Sequence, residues 1–191
     1  MRPLHNRAED VAPVPPGHTR LMASGHTHEA INTAALIAIA VTFATLQDQP
    51  KFDPRLGEVV PLAARFVFGA AYLIGTFLLT PDLDVAEGNV RAKKHWGLLG
   101  ILWIPYGWLL THRGISHTWL AGPVTRLLYM AFVLAALAVL LSPIRPVVES
   151  SLSVSVSVSI PWPSASTAAI AGYLVSQWLH LLADGIMPWR R

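Results

Sequence analysis

Five long apolar stretches divide the chain, Ala30–Leu46, Pro61–Thr80, Trp96–Leu110, Leu127–Leu141 and Ala168–Met187, and polar, metal-competent clusters sit at the ends of such stretches. The second and fifth match the roughly 20 residues a helix needs to cross a bilayer. The first and fourth, 17 and 15 residues long, reach across only if flanking side chains snorkel or the membrane thins. The third carries Ile104-Pro105-Tyr106-Gly107 near its middle. Proline removes a helix hydrogen bond there and glycine permits a sharp turn, so this segment is expected to dip in and return. Residues 1–24 are polar and proline-bearing and read as a flexible polar tail, leaving 25–191 as a single helical membrane domain with the metal site. Ser150–Ile160 alternates Ser and Val with the period of a half-buried strand. In a helical membrane protein it is expected to be an external loop or short edge ribbon, without chemistry.

Composition supports the same class. Hydrophobic residues make up 53% of the 191 and charged residues 13%, where soluble domains carry about a quarter charged. With no cysteine, disulfides, thiolate ligation and cysteine nucleophiles are excluded, so a bound metal must be held by His and carboxylate. The formal charge is +3 and the basic residues lie scattered near segment ends. Nucleic-acid binding gains little support from that distribution.

Span parity sets the topology. If all five segments crossed, His112 would lie on the opposite face from His28 and Asp82. If the third returns at Pro105-Tyr106-Gly107, then His28, Asp82, Asp84, His112, His117, His180 and Asp184 converge on one side. The expected fold is therefore an all-α polytopic membrane helical bundle of four spans plus one short re-entrant or interfacial helical hairpin, buried among the spans because irregular backbone is not exposed to lipid. Basic residues then divide ten to four: Arg2, Arg7, Arg20, Arg91, Lys93, Lys94, Arg113, Arg126, Arg190 and Arg191 on the site side, against Lys51, Arg55, Arg65 and Arg145. By the positive-inside rule the site and both termini face the cytoplasm. Trp96, Trp119 and Trp189 near the site and Trp162 opposite suit interfacial belts, or simply fill a core.

Each cluster has a chemical and a plain reading. His180 and Asp184 share one helix face; alone they could be a helix-end hydrogen bond, but ionisable groups in an apolar segment are costly and usually functional. Asp82 and Asp84 follow a helix C-terminus, where negative charge is disfavoured unless a cation is bound. Otherwise they form a solvated loop. His112 and His117 flank Gly114 in a loop able to wrap a centre, with Arg113 and Ser116 available to an anion; the alternative is a basic interfacial loop. His28 opens the first span beside Glu29. His26 reads as an exposed histidine, His95 as part of a basic loop with Lys93 and Lys94, and His5 and His18 as solvated.

The order His28, Pro81-Asp82-x-Asp84, His112-Arg113-Gly114-x-Ser116-His117-Thr118 and His180-x-x-x-Asp184 resembles the bacterial membrane-bound metal-dependent hydrolases. It is closer still to a related family of metal-binding bacterial membrane proteins that carries a stretch like Trp96-Gly97 through Trp103-Ile104-Pro105-Tyr106 before the histidine motif. The resemblance covers roughly residues 24–187, and His-Arg-Gly-x-Ser-His is its most specific part. More distantly, the His and Asp pattern is similar to the zinc-dependent phospholipase C and nuclease P1 superfamily. Those enzymes use two helical His-x-x-x-carboxylate pairs and this chain has one, which argues against a three-metal site.

The resemblance implies His28, Asp82, Asp84, His112, His117, His180 and Asp184 as metal ligands. Nitrogen and oxygen donors suit Zn, with Mn or Fe also fitting, in one or two ions. Two functions follow. One is hydrolysis of a phosphoester, lipid-linked in a membrane setting, with Asp84 or Asp82 bridging and Arg113 steadying phosphate charge. The other is non-catalytic binding, sensing or transport of a divalent metal.

Overall fold

The computed structural model describes residues 24–47, 60–85, 90–110, 114–144 and 162–188, with the backbone alone for Ile144 and Trp162. The N-terminal tail up to residue 23, the Ser150–Ile160 repeat, Trp189, His112 and Arg113 lie outside them. Every regular element among the described residues is helical. Helix α1 spans Gly25–Gln47 and α2 spans Leu62–Leu73, continued by a π turn, Ile74–Leu78, and a 3-10 turn, Pro81–Asp84. Helix α3 is Arg91–His95, and a 3-10 stretch, Gly97–Trp103, runs directly into α4, Ile104–Leu109. A 3-10 turn, Ile115–His117, leads to α5, Ala121–Leu141, and α6 is Trp162–Ala183.

Among the described residues, three helical stretches are long and apolar enough to cross a membrane: Gly25–Gln47, Leu62–Asp84 and Ala121–Leu141. Helix α5 is six residues longer at its start than hydropathy implied. Arg126 had marked an edge, and Pro123 sits in the first turn, where its missing N–H has no intrahelical partner to lose. Helix α6 has comparable length, at 22 residues, but Ser164, Ser166, Thr167, Ser176, Gln177 and His180 dilute its apolar character.

The reversal expected at Pro105-Tyr106-Gly107 is absent. Gly97–Leu109 is one helical run, with Pro105 near the N-terminus of α4, a position that tolerates proline. Both ends of this run nevertheless stay at the same end of the bundle. Trp96 Nε1 donates to the Leu78 carbonyl at 2.8 Å, and soon after Leu110 the chain reaches His117, which contacts Asp84. Among the described residues, His28, Asp82, Asp84, His117, His180 and Asp184 come together without a reversal there.

The apolar core sits at this end, where Leu79, Leu83, Ala92, Trp103, Tyr106 and Tyr173 are buried together. Burial of large aromatic rings dominates such a core. Trp103 stacks edge-on against Tyr106 at 5.5 Å between centroids, and Tyr129 of α5 lies 5.1 Å from Tyr106. Helices α2 and α6 approach along small residues, as membrane helices do when backbone contact replaces a hydrophobic driving force. A Cβ on Gly172 would lie 2.2 Å from the Phe68 carbonyl oxygen, and one on Gly75 would lie 2.1 Å from Ser176 Oγ.

Buried polar groups tie the helices together, as they must where water is excluded. Asn32 Nδ2 donates to the Ser176 carbonyl at 3.2 Å, Tyr72 donates to the Asn32 carbonyl at 2.9 Å, and Gln177 Nε2 donates to the Gly75 carbonyl at 3.0 Å. Helix α1 has only two buried residues, His28 and Asn32, so it is anchored through its N-terminal third.

Candidate metal centre

Four separate elements deliver the polar side chains to one place. Helix α1 begins at Gly25, which puts His28 in its first turn. The π turn after α2 widens the helix for one turn, a device frequent at functional sites. It hands the chain to Pro81–Asp84 with Thr80 Oγ1 3.4 Å from His180 Nδ1. The Ile115–His117 turn is clamped from α5: Arg126 Nη1 donates to the Ser116 carbonyl at 2.9 Å, and Thr118 Oγ1 accepts the Gly122 N–H at 3.0 Å. Gly122 is required there, because a Cβ would lie 2.1 Å from the Ser116 carbonyl oxygen.

Helix α6 ends with Asp184 still in helical register. Gly185 takes a positive φ of 71°; its N–H bonds to the Leu182 carbonyl at 2.9 Å, and the Ile186 N–H bonds to Leu181 at 2.9 Å. This paired arrangement stops a helix at a left-handed glycine. It leaves Asp184 beside His180, one turn away.

Two groups of three have ligand atoms within 4.8 Å of one another: His28, His180 and Asp184, and Asp82, His117 and His180. His28 Nε2 lies 3.2 Å from Asp184 Oδ1, and His180 Nε2 lies 3.4 Å from Asp82 Oδ1 and 3.6 Å from Asp184 Oδ2. His117 Nε2 lies 3.9 Å from Asp184 Oδ2. The His28 and His180 rings stack, with centroids 3.9 Å apart. His180 Nε2 is buried without a hydrogen-bond partner and faces both carboxylates. Burial raises the Asp184 carboxyl, but the hydrogen bond from His28 and the nearby His180 and His28 rings outweigh it and hold it below the ordinary carboxylate range.

These separations also suit donors that share a metal. Donors about 2.0–2.1 Å from a tetrahedral Zn lie on the order of 3.3 Å apart, whereas side-chain hydrogen bonds close to about 3 Å. A pocket of about 10 Å³ touches this cluster, lined by His28, Thr76, Thr80, Asp82 and His180 together with Arg91 at its rim. That is room for about one water-sized species.

Asp84 stands behind this set. Its Oδ2 is 2.9 Å from His117 Nδ1 and accepts the Ser116 hydroxyl. A carboxylate on Nδ1 favours the tautomer that carries its proton there and presents the Nε2 lone pair, the usual outer support of a ligating imidazole. Ser116, expected to face an anion, is turned to Asp84 instead. Lys93 donates to the Val85 carbonyl; burial pushes its ammonium below the ordinary lysine range, and the Asp84 charge partly offsets this. Asp84→Asn is expected to keep the fold and weaken metal affinity about 10–100-fold, measured by competition with a chromogenic chelator.

The residues expected at the site thus separate. His28, Asp82, His117, His180 and Asp184 are brought together, Asp84 supports them, and His112 and Arg113 lie outside the described residues. His26 and His95 join neither group. They flank an outer network in which Glu29 bonds Arg91 Nε at 2.5 Å and His95 Nε2 at 2.7 Å, while Arg91 Nη1 lies 2.8 Å from His26 Nε2. Arg126 and Gln177 were missed. Arg126 is fully buried, and its Nη2 donates to Gln177 Oε1 at 2.7 Å. A charged residue inside an apolar helix was the available signal, but its position near a segment edge made it read as a flank.

Helical elements that enclose three imidazoles and two carboxylates at these spacings supply the donor set of a metal-binding protein. The chain belongs to the family described as Uncharacterized metal-binding protein (DUF2227), whose model matches residues 23–191. A relative from Aquifex aeolicus (strain VF5), described as an uncharacterized protein, is 39% identical over 72 residues, or 38% of this chain and 50% of the relative. The match therefore spans half of that relative's length. No solved structure matches significantly.

Proposed function

We propose that this protein is an integral membrane protein that holds one or two divalent ions at the His28, Asp82, His117, His180 and Asp184 cluster and hydrolyses a phosphoester, with a lipid-linked substrate in a membrane setting. The observation that carries the metal reading is the 3.2–3.9 Å spacing of buried imidazole nitrogens and carboxylate oxygens around His180. Nitrogen and oxygen donors suit Zn, with Mn or Fe as alternatives. His180 Nε2 belongs to both groups and can serve one ion, so a second ion would need Asp184 or Asp82 as a bridge. His112 remains an expected further ligand.

A bound divalent ion supplies Lewis acidity toward a phosphoryl oxygen and lowers the pKa of water. The chain's own residues orient and shield. Asp84 holds the His117 ring, Asp82 is the most exposed of the ligand candidates, and Arg113, four residues before His117 in sequence, offers positive charge to an anionic substrate. A second reading, non-catalytic metal binding, sensing or transport, is favoured by the small size of the pocket at the cluster.

The apolar exteriors of α1 and α5 support placement in a bilayer, since contiguous exposed apolar surface of this extent is foreign to water-soluble monomers. On α5 only Gly122, Pro123 and Arg126 are buried. The ten-to-four division of basic residues supports an inner-membrane orientation with the site and both termini cytoplasmic. Reporters fused after Thr111 and at the C-terminus should both read cytoplasmic, and an extracytoplasmic reading after Thr111 would sink this topology.

Metal content and turnover on phosphodiester and phospholipid panels, measured on the same purified protein, separate the two readings. Turnover that is lost on chelation and restored by metal supports hydrolysis; stoichiometric metal without turnover favours the second reading. Metal release on acidification is a further expectation. Imidazoles ligate only when neutral, and their ordinary pKa is about 6.5. Asp184, held below the usual carboxylate range, stays ionised through that window. Metal affinity should therefore fall as the pH is lowered, as read by equilibrium dialysis.

A further inference from the structure

The end of the bundle away from the metal cluster carries a different kind of site. Helix α1 is held to α2 and α6 through His28 and Asn32, and beyond them a groove of about 830 Å³ opens between the three helices. That falls within the roughly 300–1,000 Å³ typical of small-molecule pockets. Its walls are apolar, including Leu36, Ala40 and Phe43 of α1, Ala64 of α2, and Ala168 and Ala171 of α6. At its far end stand Arg65 and Gln47.

Among the described residues, Arg65 is positioned by uncharged partners. Its Nε donates to the Val60 carbonyl at 3.0 Å, its Nη1 donates to Gln47 Oε1 at 3.1 Å, and its guanidinium lies 4.4 Å from the Phe43 ring centroid. All three partners are uncharged, and no carboxylate pairs with Arg65 among the described residues. These contacts use two of its five N–H donors, leaving others for an oxyanion.

The length of the groove matches its chemistry. From Gln47 back to Leu36 is eleven residues of helix, roughly 16 Å at 1.5 Å per residue, close to half of a hydrocarbon core about 30 Å thick. An apolar groove one leaflet deep that ends at a guanidinium held, among the described residues, by uncharged partners has the shape of an acyl chain with a phosphate at its head. We propose that this groove binds one phospholipid of net negative charge, its chain between α1 and α6 and its phosphate on Arg65. The inference shares the membrane placement proposed above but is independent of the metal reading.

The test uses the full-length protein, delipidated by detergent exchange and incubated separately with dioleoyl phosphatidylglycerol and dioleoyl phosphatidylcholine, then examined by native mass spectrometry. One phosphatidylglycerol per chain is expected, bound about tenfold more tightly than phosphatidylcholine, because the choline cation offsets the phosphate charge that Arg65 meets. Arg65→Gln should abolish that preference, and Ala168→Trp and Ala40→Trp should each fill the groove and abolish retention. Circular dichroism melting and metal content on the same samples report on folding and on the opposite end of the bundle. Wild-type protein without headgroup preference, tryptophan variants that melt normally and retain lipid, or a lipid-free dimer would each overturn the proposal, whatever the metal content.

Discussion

Replacing His180 with alanine is expected to abolish stoichiometric metal binding while leaving the helices in place. His180 belongs to both groups of potential ligands, so its loss leaves each with two donors, too few to displace the water around a divalent ion. Affinity should fall by more than about a hundredfold, beyond the ~10–100-fold cost of losing a supporting residue. The ring also leaves a space beside His28, with which it stacks, so some loss of thermal stability accompanies the change. His180→Gln keeps more of the side-chain volume and separates the effects: it should restore part of the stability and none of the metal. Chelator competition on purified protein reads the first quantity and circular dichroism melting reads the second. Retention of metal by His180→Ala at wild-type affinity would remove this residue from the site.

The second large effect is expected from the seam between α2 and α6. Gly172→Ala places a methyl 2.2 Å from the Phe68 carbonyl oxygen, and the obstacle is backbone rather than a rotatable side chain. The helices must separate, at a cost of about 3 kcal/mol or more, the upper range for overpacking. Gly69→Ala is the control, because nothing lies within 4 Å of its added carbon. In a helix interior that change should be neutral or stabilise by about 0.5–1 kcal/mol. Thermal unfolding of the pair in one detergent checks the contrast. Since α2 leads into Asp82 and α6 carries His180, Gly172→Ala should weaken metal binding as well, whereas Gly69→Ala should not.

The ends of the apolar stretches were legible in the sequence because each polar cluster interrupts an otherwise apolar run, and such interruptions are expensive without a purpose. That signal was enough to select His28, Asp82, His117, His180 and Asp184, which the fold gathers. It did not distinguish the role of Asp84 from that of Asp82. Two carboxylates separated by one residue look alike in sequence, and only the tertiary contact to His117 Nδ1 places Asp84 behind a ligand candidate. Pro105 was read as a turn because proline breaks helix interiors, yet it lies near a helix start, where that penalty vanishes.

Arg126 was hidden for a related reason. A hydropathy pattern treats arginine as a boundary, whereas the fold buries it and satisfies it with the Ser116 carbonyl and Gln177. Asn32, Tyr72 and Gln177 escaped notice in the same way. Their value lies in partners 40 to 144 residues distant along the chain, which no local pattern records. The π turn at Ile74–Leu78 likewise carries no local signature beyond its glycine.

The most direct test of the central claim is metal stoichiometry with X-ray absorption on purified, reconstituted wild-type protein. The predicted result is one or two divalent ions per chain in a nitrogen and oxygen shell with imidazole scattering, consistent with a chain that has no cysteine. Failure to retain stoichiometric metal, or a shell without imidazole, would contradict the account.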